Sequence, residues 1–83
     1  MKTLHIITLR QAPQYIENLL SFRASNLTGI LDTEKGDYML FSYATLIYKR
    51  NCLGEITVNR LNEYFSRTTS RHQSIIRRAL NIK

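Results

Sequence analysis

Four hydroxyls and two guanidiniums crowd one short stretch near the end of the chain, Ser66-Arg67-Thr68-Thr69-Ser70-Arg71. Placed at a helix start, such a set suits anion binding. The free N–H groups of the first turn and the positive end of the helix dipole attract negative charge, and phosphate is the obvious guest. The same residues also suit plain capping and a solvated basic face. Ser70 is a good N-cap, and Gln73 three residues on completes a capping box. Ser66, Thr68 and Thr69 allow the start to slip by a residue or two.

From Ser70 onward the spacing predicts an amphipathic helix. His72, Ile75, Ile76, Ala79 and Leu80 make its apolar stripe. Arg71, Ser74, Arg78 and Asn81 repeat on the opposite face, flanked by Arg77. Arg67, Thr68, Thr69, Ser70, Arg71, Ser74, Arg77 and Arg78 are therefore the candidate residues for binding nucleic acid or a partner. His72 has two readings: a buried imidazole donating to a backbone carbonyl, or a group reaching a phosphate or carboxylate beside Arg71.

Charge is segregated. Net charge is +6 with a pI near 9.9. The segment from Arg60 onward carries Arg60, Arg67, Arg71, Arg77, Arg78 and Lys83 against the single acid Glu63, so nearly all of the excess lies there. A basic block of this kind favours polyanions.

Enzyme chemistry is missing. The two histidines, His5 and His72, stand at opposite ends, and the acids Glu17, Asp32, Glu34, Asp37, Glu55 and Glu63 are scattered. No phosphate loop, dinucleotide motif, serine elbow or metal-spaced Cys/His cluster occurs. No catalytic residue, metal ligand or cofactor is expected. The lone Cys52 has no partner for an internal disulfide or a zinc site, which suits a reducing cytosol. No segment is apolar enough for a membrane span, and the start of the chain does not read as a signal peptide.

The elements that would position the basic helix follow in order. Thr3–Leu9 is an optional first strand, and Pro13 opens a helix running to Ser25 on the apolar face of Tyr15, Ile16, Leu19, Leu20 and Phe22. Leu27–Leu31, Tyr38–Lys49 and Glu55–Asn59 read as strands joined by turns at Asp32–Asp37 and Asn51–Gly54. The long strand should bend near Ser42–Ala44, where its alternation slips. Tyr38, Leu40 and Ser42 share one face of it, and Met39, Phe41 and Tyr43 the other. Leu61–Phe65 could extend or cross the sheet. The expectation is one small α+β domain over residues 1–83. Its three-stranded antiparallel sheet, four-stranded if Thr3–Leu9 joins, would be covered on one face by two helices.

A resemblance falls on the same residues. Ser42-Tyr43-x-Thr45-x-Ile47, then Tyr64-x-Ser66-x-Thr68-Thr69-Ser70-x-His72-Gln73 and Arg77-Arg78-Ala79-Leu80, resembles a family of small bacteriophage proteins described only as a domain of unknown function. It spans roughly Asp37–Leu80 and implies a phage or prophage origin and a cytoplasmic setting. It implies no activity.

Binding is the class these readings leave. One version is an accessory protein that holds DNA or RNA through the basic helix and its anion site. The order helix, three strands, helix matches double-stranded-RNA-binding domains by topological analogy, with Lys49 and Arg50 as further contacts, but the usual lysine-rich run and Pro/His loop are missing. The other is an inhibitor that docks on an acidic surface of a host enzyme or defence complex, since arginine and tyrosine also dominate protein interfaces. A homodimer is a third expectation, because a chain this short has a small core and exposed strand edges.

Overall fold

A computed structural model describes residues 5–81. Its elements are β1 (His5–Ile6), α1 (Ala12–Glu17), β2 (Phe22–Ala24), β3 (Leu27–Leu31), β4 (Tyr38–Ser42), β5 (Thr45–Arg50), β6 (Ile56–Asn59) and α2 (Arg67–Ala79). The strands form one six-stranded sheet in the order β1-β2-β3-β4-β5-β6. β1 pairs with β2 in parallel and every other neighbour is antiparallel. The fold is α+β, but its sheet is mixed and twice as wide as the three strands expected.

Each departure has a local cause. The first helix stops eight residues early. Leu19 takes a left-handed conformation (φ 54°), its N–H donates to the Ile16 carbonyl at 3.1 Å, and Leu20 N–H donates to Tyr15 at 2.8 Å. These two bonds make a Schellman stop, normally written with glycine. Asn18 Nδ2 reinforces it by donating to the Gln14 carbonyl at 2.8 Å. The chain beyond is then released into β2, where Phe22 and Ala24 are buried and Arg23 is exposed. The 15 residues between β1 and β2 contain α1, a crossover of the length that parallel strands require. Of the expected strand Thr3–Leu9, His5–Ile6 is β1, and Thr3 and Leu4 lie outside the described residues.

The long strand folds back on itself. Tyr43, at φ 58°, makes with Ala44 a two-residue turn between Ser42 and Thr45, which pair directly. Ser25, at φ 56°, does the same between Ala24 and Leu27. The two turns are tied by Tyr43 N–H donating to the Asn26 carbonyl at 2.7 Å. This end of the sheet is the one that meets the start of α2.

One core cluster holds the layers together. Phe22, Ala24, Leu27, Tyr38, Leu40 and Ile47 of the sheet pack with Ala12 and Ile16 of α1 and Ile76 and Ala79 of α2. The expected inward face of β4 is correct: Tyr38, Leu40 and Ser42 are each no more than 1% exposed. Met39 and Phe41 are half-buried and Tyr43 is exposed. α1 and α2 also pack on each other. Leu61–Phe65 does not extend the sheet; it is the loop that leads from β6 to α2, with Leu61 buried.

Candidate functional site

The second helix begins at Ser66, four residues before the expected cap. Ser66 is extended (φ −161°), and its Oγ accepts from Thr69 N–H at 3.2 Å. The Ser70–Gln73 capping box does not form. Gln73 is buried instead, and its Nε2 donates to the carbonyls of Arg60 (2.8 Å) and Glu63 (2.7 Å), holding the preceding loop. With Ser66 as cap, Arg67 and Thr68 provide the free N–H groups of the first turn.

The helix turns Thr69, His72, Gln73, Ile76 and Ala79 into the protein. Opposite them, Arg67, Arg71, Ser74 and Arg78 stand at i, i+4, i+7 and i+11 and are all exposed. They form a single stripe about 16 Å long at 1.5 Å per residue. Among the described residues Arg67, Arg71 and Arg78 have no ion-pair or hydrogen-bond partner. Two acids are engaged with other cations: Glu63 pairs with Arg60 at 3.1 Å, and Asp37 with Lys49 at 3.8 Å. Arg60 also lies over the Phe65 ring at 4.8 Å. Arg77 is drawn off the stripe, with its guanidinium donating to the Leu61 carbonyl at 2.7 Å, Asn62 Oδ1 at 3.2 Å and Ser74 Oγ at 3.3 Å.

At its N-terminal end the stripe runs into a cleft of about 350 Å³, lined by Leu9, Ser25, Arg67, Thr68, Arg71 and His72. Three of these are expected site residues: Arg67, Thr68 and Arg71. Thr69 is not available to a ligand: it is buried, and its Oγ1 accepts from Ser66 Oγ at 3.2 Å and lies 2.9 Å from Ser42 Oγ. Ser70, Ser74 and Arg77 line a separate cleft of about 230 Å³ with Tyr64 and Gln73. Arg78 continues the stripe beyond both. Lys83 lies outside the described residues.

Behind the first cleft runs a hydroxyl relay. Ser42 Oγ is 2.7 Å from His72 Nδ1, so His72 bonds a side-chain hydroxyl rather than the expected backbone carbonyl. Ser66 donates to Thr69; either oxygen can be the donor in the Ser42–Thr69 pair, and we take the order in which donation passes from Thr69 to Ser42 and on to His72 Nδ1. That order gives every hydroxyl both a donor and an acceptor role. It leaves the proton of neutral His72 on Nε2. Burial, and then the Arg71 charge, push the His72 pKa below its ordinary value, which favours the neutral ring. Ser42 is 1% exposed, so this serine–histidine pair is no nucleophile open to substrate. The exposed Tyr43 ring lies 6.3 Å from the imidazole.

Ser42, Tyr43 and His72 all fall within the sequence pattern read above; His72 and, as one of the tyrosines that could stack on bases, Tyr43 carry a candidate role there, and Ser42 carries none. The signal for Ser42 was its place on the inward face of β4, where a hydroxyl needs a partner. Leu9 and Ser25 gave no signal. Among the described residues no cluster of His, Cys, Asp or Glu could hold a metal ion, and no helix is long and apolar enough to cross a membrane.

Residues 11–80 match the pattern of DUF8033, a family of unknown function, so the likeness starts well before Asp37. No curated protein and no solved structure matches the chain.

Proposed function

The chain belongs to the DUF8033 family, and we propose that it is a small phage-type accessory protein that binds nucleic acid along α2 and the cleft at its start. One observation carries the reading: Arg67, Arg71 and Arg78 form an exposed stripe with no acidic partner among the described residues, continuous with a helix N-terminus. Unpaired arginines on one face keep their full charge for phosphates, and contacts of this kind dominate nucleic-acid affinity. Tyr43 adds an exposed ring beside the cleft on which a base can stack.

The test is fluorescence anisotropy of labelled single- and double-stranded DNA and RNA at low and physiological salt. The Arg71→Ala/Arg78→Ala variant should bind more weakly, and its salt slope should flatten by about two units, one per lost phosphate contact. Absence of binding at low salt for a chain this basic refutes the reading.

A second reading is an inhibitor that docks on an acidic surface of a host enzyme or defence complex in the host cytoplasm. It is favoured by Tyr64, which is 78% exposed at the cleft that Arg77 lines. Exposed tyrosine beside arginine is the composition of interface hot spots. Pull-down from host lysate, with Tyr64→Ala as the control, tests it.

A further inference from the structure

We infer that the cleft at the start of α2 receives a phosphate monoester, with the Nε2–H of His72 as one of its donors. The inference rests on the polyanion-binding reading and names the chemical group that this end of the site takes.

His72 is the observation that sets this helix start apart. Its residue is 1% exposed, it lines the cleft, and its only hydrogen bond among the described residues is the one that Nδ1 accepts from Ser42 Oγ in that order of donation. Among the described residues no fully buried side-chain nitrogen or oxygen lacks a partner. The unpartnered Nε2 must therefore be the atom through which this side chain reaches the cleft. The hydroxyl relay from Ser66 holds the ring in place, and with Ser42 donating to Nδ1 the proton of the neutral ring sits on Nε2. A polar side chain fixed this firmly, with one donor left unused, is a prepared contact.

The other donors converge on the same space. Arg67 and Arg71 bring two unpaired guanidiniums, Thr68 and Ser25 bring hydroxyls, and the Arg67 and Thr68 N–H groups lie at the helix start. A phosphodiester within a strand offers two free oxygens and one charge. A monoester offers three acceptor oxygens and between one and a half and two charges at neutral pH, roughly. Two arginine charges, a neutral imidazole donor and two hydroxyls match the monoester better in both count and charge. Two sources share this chemistry: a free nucleotide and the phosphorylated 5′ end of a strand. The exposed Tyr43 ring, 6.3 Å from the imidazole, suits the base of either.

Two measurements on the full chain test it. The first compares a short single strand bearing a 5′-phosphate with the same strand bearing a 5′-hydroxyl, by anisotropy at physiological salt. The second titrates adenosine monophosphate and follows the amide shifts of Ser25, Arg67 and Thr68. A 5′ end held in the cleft gives a preference of about tenfold or more for the phosphorylated strand, as expected for charge-assisted bonds. Arg71→Ala abolishes that preference, whereas Arg78→Ala weakens both strands equally. Equal strand affinities with saturable monophosphate shifts identify the free nucleotide as the source. If no strand binds, saturable shifts still uphold the phosphate site while refuting strand binding. The inference is overturned if the monophosphate leaves these amides unmoved and the strands bind alike. It is equally overturned if the preference survives Arg71→Ala, or if an acidic peptide shifts the amides and the monophosphate does not.

Discussion

Replacing Ser42 by alanine should cost far more than loss of one surface-sized hydroxyl. Ser42 Oγ is the only hydrogen-bond partner of His72 Nδ1 (2.7 Å) and one of two hydroxyl partners of Thr69 (2.9 Å), and all three residues are buried. A buried polar group left without its partner costs about 1–3 kcal/mol. The imidazole nitrogen bears that in full, and Thr69 keeps Ser66 and loses about 1 kcal/mol, so Ser42→Ala should destabilise by about 2–4 kcal/mol. A chain of this size has a total stability of about 4–12 kcal/mol. Urea unfolding should show the midpoint falling by about 1–2 M at an unchanged slope. His72→Leu on its own removes the group that Ser42→Ala would orphan. The double variant should therefore cost at least about 1 kcal/mol less than the sum of the two single changes. A cost below about 0.5 kcal/mol for Ser42→Ala, or strict additivity with His72→Leu, would refute the relay.

Three further outcomes follow from single residues. His72 resists protonation in the folded state, held below its ordinary pKa of 6.5 by burial and then by Arg71. The unfolded chain therefore binds more protons as pH falls through about 6.5. Its contribution to stability is complete above that pH and is lost below it, so the urea midpoint should fall from pH 8 to pH 5; a flat profile contradicts this. Gly29→Ala would set a Cβ against Phe22 Cε1 and 2.7 Å from the Tyr38 hydroxyl, both buried. Overpacking there should cost about 1–3 kcal/mol, read as a lower melting temperature. Tyr43→Asn should relieve the left-handed strain at φ 58° and stabilise by about 0.5–1 kcal/mol while weakening base stacking, so that thermal melting and anisotropy move in opposite directions.

Much of the frame was legible in the residues. The stripe of His72, Ile76 and Ala79 is buried and the stripe of Arg71, Ser74 and Arg78 exposed, because a helix displays residues of the same period on the same side. The alternation of Tyr38, Leu40 and Ser42 placed them inward for the same kind of reason. The turns expected at Asp32–Asp37 and Asn51–Gly54 form, with Gly36 and Gly54 at positive φ. The signals that failed were those in which an ordinary side chain does a glycine's work. Leu19, Ser25 and Tyr43 all adopt positive φ, so the end of α1 and two tight hairpins carried no glycine mark, and the sheet was undercounted.

The sequence alone determined where charge gathers, which face of the last helix is wet, and that no familiar catalytic or metal motif is written in the chain. These properties are local: each is set by side chains within a few positions of one another. The tertiary structure decided which of several hydroxyls caps the helix. Ser66 and Ser70 are both competent caps, and Ser66 prevails in a fold where Thr69 meets Ser42 and Gln73 binds two carbonyls of the preceding loop. It also decided that Ser25, from a distant turn, shares a cleft with Arg67, Arg71 and His72. Neighbours of that kind are brought together by core packing, and core packing is a property of the whole chain.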